Sequence, residues 1–317
     1  MRDFNFQAIA ARNTPQIAQI AAPSHGMERL LSVVMGPPVA RRYVVEGITP
    51  GTVAVLAGSS GLGKSWLAMQ ACLCVADAEV NAVSLRLDVQ MHGATSYLSV
   101  EDDETEVDAR IQAIAAAVGP EVLCTAIRTG RITIDSKVGA GATLRSPAWL
   151  AHVRALATGR VLLVVDTWAR LHGGGENSND DATKVLAPME SIARETGCAI
   201  LIVAHTARRQ QSDADTAADE HARGASALEY NTRWNGILRR DAGGLVHLLR
   251  TNISYGPQHA GGSWFRANVD GVLLRVSAPV PQILRGGVAK KGTVKPAPAR
   301  SSGTRRGAPS ARAQGAL

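Results

Sequence analysis

From Gly51 onward the chain alternates between two kinds of segment. Short apolar runs are followed by loops of Gly, Ser and acidic residues, and then by longer stretches whose apolar positions recur three and four apart. The runs at 52–57, 161–165 and 199–204 are strand-length and continuously apolar, and 96–100 and 132–134 add two shorter ones. The stretches at 65–76, 104–118, 149–156 and 182–195 predict helices. Unbroken apolar strands separated by helices indicate a mostly parallel sheet covered on both faces, the α/β arrangement. After Leu228 the pattern changes. Segments 237–240, 245–252, 263–268 and 272–276 are short, with turn residues between them, and predict hairpins that extend the sheet in antiparallel fashion.

Either side of this pattern the periodicity fades. Residues 1–45 form a mixed leader in which 6–22 has helical spacing and Gly36-Pro37-Pro38 breaks the chain. Such a leader is expected either to pack on a neighbouring subunit or to be a disordered start. Residues 286–317 are Gly, Ala, Pro, Ser, Lys and Arg without apolar periodicity, a composition that buries no core. The expected organisation is therefore a leader at 1–45, an α/β domain at 46–285 and a disordered tail at 286–317.

Between the first strand and the first helix stands Gly58-Ser59-Ser60-Gly61-Leu62-Gly63-Lys64-Ser65, a full match to G-x-x-x-x-G-K-[ST] in the strand–loop–helix setting that the motif requires. Its glycines let the backbone curl until its N–H groups face phosphate oxygens, and the helix that follows adds its positive dipole end. Lys64 is placed to reach the β and γ phosphates, and the Ser65 hydroxyl to bind magnesium. The cofactors expected are thus ATP and Mg2+. Val161-Leu162-Leu163-Val164-Val165-Asp166 is an apolar strand ending in a carboxylate, and Asp166 is the candidate second metal residue.

Hydrolysis also needs a base for the attacking water. Glu101, in Ser99-Val100-Glu101-Asp102-Asp103, stands at the carboxyl end of a strand, the edge of a parallel sheet where ligands bind. Asp102 is the second choice, and Asp103 and Glu104 suit an acidic cap on the next helix. Ile200-Leu201-Ile202-Val203-Ala204-His205 is another apolar strand ending in one polar residue, and His205 is a candidate sensor of the γ phosphate.

Charge adds one feature. The net charge of +7 equals the charge of the tail, where Lys290, Lys291, Lys295, Arg300, Arg305, Arg306 and Arg312 meet no acid, so the remainder is balanced (7 − 7 = 0). The tail is a cluster of cations suited to nucleic acid. Cys72, Cys74, Cys124 and Cys198 lack a second pair at zinc spacing, which points to packing in a reducing compartment. The first residues carry no apolar signal core and no apolar run reaches membrane-spanning length, so the protein reads as cytoplasmic.

Taken together, GSSGLGKS, YLSVED, VLLVVDTWARLH and ILIVAHT, in that order, resemble the RepA-type hexameric replicative helicases of broad-host-range plasmids, within the RecA/DnaB superfamily. Ala222-Arg223-Gly224-Ala225-Ser226, Asn231-Thr232-Arg233-Trp234, Ser254-Tyr255-Gly256 and Ser263-Trp264-Phe265-Arg266 extend the resemblance over roughly residues 45–276. It implies a RecA-like P-loop NTPase fold and a homo-oligomeric ring, hexameric in that family, that moves along single-stranded DNA with no membrane partner. It assigns Glu101 to water activation, His205 to sensing and Arg233 to an arginine finger supplied to the neighbouring subunit; the plain alternative for Arg233 is a surface strand charge. One position departs from the family: Asn252 stands where a Lys is expected at the neighbour's nucleotide, and Arg250, two residues away, is the candidate substitute. DNA would be met by the segments 172–181 and 207–226, which otherwise are surface loops. Two other uses of the same residues stand beside the helicase: a recombination or DNA-binding ATPase that does not unwind, and an interaction protein gated by nucleotide.

Overall fold

A computed structural model describes residues 26–38, 42–171, 179–205, 228, 231–254 and 262–279. The expected helix at 6–22, most of 172–181, the segments 207–226 and 255–261, and the tail lie outside the described residues. Chain contacts divide the protein into two units, Met1–Ala278 and Pro279–Leu317, and the elements below belong to the first.

The strands are β1 (Val53–Gly58), β2 (Thr95–Ser99), β3 (Ile132–Ser136), β4 (Leu162–Asp166), β5 (Ala199–His205), β6 (Trp234–Arg240), β7 (Val246–Ile253), β8 (Ser263–Ala267) and β9 (Leu273–Val276). They form one sheet in the order β3-β2-β4-β5-β1-β6-β7-β8-β9. Pairing is parallel from β3 through β6 and antiparallel from β6 through β9. The expected mixed α/β sheet is what forms. The C-terminal extension, however, joins β1 through a parallel pair, which segment-by-segment patterning could not reveal.

Alternation along the central strands explains their unbroken apolarity. Ala54, Leu56, Leu162, Val164, Leu201 and Val203 point into one core; Val55, Ala57, Leu163, Val165, Ile200 and Ile202 point into another on the opposite face. A strand buried on both faces has no solvent side for a polar residue. The helices are α1 (Met27–Met35), α2 (Lys64–Ala76), α3 (Ala78–Val83), α4 (Glu104–Val118), α5 (Pro120–Arg128), α6 (Pro147–Ala157), α7 (Trp168–Leu171) and α8 (Asn179–Thr196). Helix α2 is buried along nearly its whole length, Cys72 and Cys74 included, and burial pushes both thiols up to about 12. The short helices α3 and α5 escape periodicity because each abuts a longer one. Asp77 caps α3 by accepting from the Glu79 and Val80 amides, and Gly119-Pro120 restarts the chain as α5.

Two polar ties hold the antiparallel extension in place. Gln70, fully buried on α2, donates to the Leu273 carbonyl and accepts from the Leu273 amide, both at 2.9 Å, which pins β9 to the helix leaving the phosphate loop. Glu46 sits in the tight turn before β1. Its carboxylate accepts from Arg250 Nη1 at 2.6 Å and from the Asp88 amide at 3.1 Å, with Arg275 at 3.4 Å, while its carbonyl accepts from Trp234 Nε1 at 2.7 Å. Glu46 and Arg250 side chains are only 5% and 9% exposed. Removing one member of a buried pair leaves the other desolvated and uncompensated. Glu46→Ala is accordingly expected to cost about 3 kcal/mol, read as a lower midpoint in thermal or urea unfolding.

This arrangement revises the idea that Arg250 substitutes for a cation at 252. The register of β6 and β7 shifts between Asn235 and Gly236: Asn235 opposes Asn252, whereas Gly236 opposes Arg250. The extra residue, Thr251, breaks the period-two rule, so Arg250 and Asn252 lie on opposite faces. Arg250 turns inward to Glu46, and the Asn252 amide donates to the Thr232 carbonyl at 3.2 Å.

Candidate active site

All four sequence elements end at the same edge of the sheet. Register places Gly58 beside His205, Ser99 beside Asp166, and Asp166 beside Val203, so the phosphate loop, Glu101, Asp166 and His205 leave the carboxyl ends of β1, β2, β4 and β5 together.

The loop owes its shape to residues without side chains. Gly61 and Gly63 have φ of +76° and +86°, which glycine adopts freely. A Cβ on Gly58 would meet the Leu238 carbonyl of β6 at 3.0 Å. Lys64 is buried under the loop and donates through Nζ to the Ser59 carbonyl at 2.8 Å. Burial pulls its pKa down, and the charges of Asp166 and Glu101 oppose that shift.

Asp166 is also buried. Its Oδ2 accepts from the Tyr97 hydroxyl at 2.6 Å, and its Oδ1 has no hydrogen-bond partner among the described residues. Burial pushes its pKa up, against the Tyr97 and Ser65 hydroxyls that favour the ionised form. A buried carboxylate oxygen with no proton donor, beside a hydroxyl at the start of α2, fits a hard divalent cation, whose ligands are oxygens. Asp166 and Ser65 are the residues that would hold magnesium.

Glu101 and His205 meet. Glu101 Oε2 lies 3.3 Å from His205 Nε2, and His205 Nδ1 lies 3.4 Å from the Ser60 hydroxyl, so a polar chain runs from the carboxylate to the phosphate loop. Partial burial raises the Glu101 pKa, but His205 and Thr167 outweigh it and hold the carboxyl below its ordinary value. Asp102 is engaged elsewhere. Its carboxylate takes Arg110 Nη1 at 2.7 Å, and its carbonyl accepts from Ser99 and Ser136. Asp103 caps α4 through the Glu106 amide, as its position suggested.

Arg233 is not at this edge. Strand β6 runs parallel to β1 with Trp234 opposite Ala54, so the preceding Arg233 is level with Val53. That is five residues below Gly58, or about 16 Å along a strand. Arg233 is exposed there, near Asn252. Other parts of the site carried no motif. Tyr97 alternates with Ser99 along β2. Asp102, Glu106 and Arg110 are spaced by four, a visible helical pairing pattern. Arg240, which donates to the Gly61 carbonyl at 3.1 Å from β6, had no local signal.

A family model described as an AAA domain (AAA_25) matches residues 26–211, more than half of the chain. The chain belongs to the AAA_25 family. Solved structures similar to this AAA_25 chain include the ATPase domain of a phage helicase, at 14% identity and a TM-score of 0.51, covering 72% of this chain and 86% of that one. A KaiC-like protein, PH0186 from Pyrococcus horikoshii OT3, matches at 15% identity and a TM-score of 0.53, covering 76% of this chain and all of that one. At such identities the likeness is one of fold: a RecA-like P-loop ATPase domain, whose mostly parallel sheet carries antiparallel C-terminal strands. Among the described residues no helix is long and apolar enough to cross a membrane.

Proposed function

We propose that this AAA_25 chain hydrolyses Mg-ATP at sites shared between subunits of a ring and uses the energy to move along single-stranded DNA, as the resemblance to RepA-type helicases implies. The observation that carries this reading is the separation of Arg233 from the phosphate loop at opposite ends of β6 and β1. A finger that cannot reach its own nucleotide serves only in an assembly.

Within one subunit the roles follow from the contacts. Backbone amides of Gly58 to Ser65 and the Lys64 ammonium hold the phosphates. Asp166 and Ser65 hold magnesium, which when bound neutralises charge on the phosphate oxygens. Glu101, kept ionised, accepts the proton of the attacking water. His205, between Glu101 and Ser60, reports the γ phosphate to the base. The Arg110 pairing of Asp102 supports Glu101 as the base over its neighbour.

Glu101→Gln is expected to keep Mg-ATP binding and to lower turnover by about 10²–10⁴-fold, the usual worth of general-base help. A crippled Asp102→Asn beside a normal Glu101→Gln would reverse the assignment. The reading as a whole is tested by ATP turnover with and without single-stranded DNA, run alongside a mass measurement of the assembly. Strand displacement then separates an unwinding motor from a DNA-binding or recombination ATPase. Asn252 favours one second reading, a nucleotide-gated interaction protein, because an amide tied to the Thr232 carbonyl brings no cation to a neighbour's nucleotide. Nucleotide binding without DNA-stimulated turnover would select it.

A further inference from the structure

The phosphate loop has a neighbour on each side. On the β5 side His205 approaches Ser60. On the β6 side Arg240 donates through Nη2 to the Gly61 carbonyl at 3.1 Å. Two cations beside the loop thus rest on loop carbonyls: Lys64 on Ser59 and Arg240 on Gly61. Main-chain carbonyls are weak acceptors for guanidinium compared with phosphate, to which charge-assisted bonds are stronger and geometrically matched.

Arg240 also lines a cavity of about 290 Å³ that runs over the loop. One end of this cavity has Ser65 and His205, on the side of Asp166. The other has Trp66, Val246, Ala267 and Leu273, which are apolar. A nucleotide whose γ phosphate faces Asp166 and Glu101 would direct its base toward the apolar end. Arg240 then lies beside the middle of the molecule, at the inner phosphates.

We infer that Arg240 is a second phosphate-binding cation supplied in cis, released from the Gly61 carbonyl when nucleotide enters. Its job is affinity. It stands on the β6 side of the loop, away from Glu101 and His205, so it adds to the hold on ADP as well as ATP. It differs in this from Arg233, which belongs to the other end of the same strand and to a neighbour's site.

The inference rests on the chain binding nucleotide at this loop. The test is calorimetric titration of the full chain with Mg-ADP and Mg-AMP, for the unaltered protein, Arg240→Ala and Arg240→Lys. Arg240→Ala should weaken Mg-ADP about tenfold, the worth of one hydrogen bond to a charged group. It should weaken AMP less, and Arg240→Lys should recover part of the loss. The melting temperature without nucleotide should stay unchanged, which a merely structural brace on Gly61 would lower. Equal ADP affinity in Arg240→Ala and the unaltered chain overturns the inference alone. A loss accompanied by a lower melting temperature, with no recovery by Lys, also overturns it. Absence of Mg-ADP binding by the unaltered chain overturns it together with the proposed function.

Discussion

Lys64→Ala is expected to abolish tight nucleotide binding. The ammonium is buried beneath the loop, between the Ser59 carbonyl and the charges of Asp166 and Glu101. Its place there is costly without a polyanion above it, which is why burial draws its pKa down. Alanine removes the cation that meets the β and γ phosphates and leaves two carboxylates facing them. Breaking a buried charge arrangement by deleting one member costs several kcal/mol, so affinity should fall by at least about a hundredfold. Titration with Mg-ADP measures this directly, and unaltered affinity would remove the site from this loop. The fold should survive, since Lys64 begins α2 and the apolar face behind it is untouched.

Arg233→Ala is expected to bind Mg-ATP normally and hydrolyse it slowly, by about 10³–10⁵-fold if it acts as fingers do in other nucleotide hydrolases. The reasoning combines topology with chemistry. Phosphoryl transfer spreads negative charge over the γ-phosphate oxygens, which a guanidinium stabilises. Arg233 sits level with Val53, at the end of the sheet away from Gly58, and so does Asn252 opposite Asn235. Both face whatever packs on that edge. Mixing therefore separates the models. Arg233→Ala keeps an intact phosphate loop, and Lys64→Ala keeps an intact finger. Mixed assemblies should regain part of the activity that neither has alone, because some interfaces pair the intact loop of one subunit with Arg233 of another. No recovery, with subunit exchange demonstrated by mass, would reduce Arg233 to a surface charge and undo the shared-site reading.

The resemblance to RepA-type helicases led to both experiments, but the structure changed what is expected at one position. A Lys at 252 would have offered a cation on the same edge as Arg233. The bulge at Thr251 turns Arg250 inward to Glu46 instead, so this edge keeps Arg233 without that substitute. The ring, its DNA and its subunit number belong to the proposal, and the mass and turnover measurements decide them.

What the sequence determined by itself was local. A phosphate loop is a run of eight residues whose glycines and Lys64 act through backbone shape and a helix start, and each lies within one turn of chain. The strands ending in Asp166 and His205 were legible because a strand buried on both faces admits a polar residue only where it emerges. Tertiary structure decided everything that depends on register. Arg240 reaches Gly61 across 179 residues, the Glu46 carboxylate binds Arg250 across 204, and Arg233 lies at the far edge because β6 pairs parallel to β1 with Trp234 opposite Ala54. Strand pairing is set by side chains from distant segments meeting in one core, and a one-residue slip would reverse every facing. No window of local sequence contains that information.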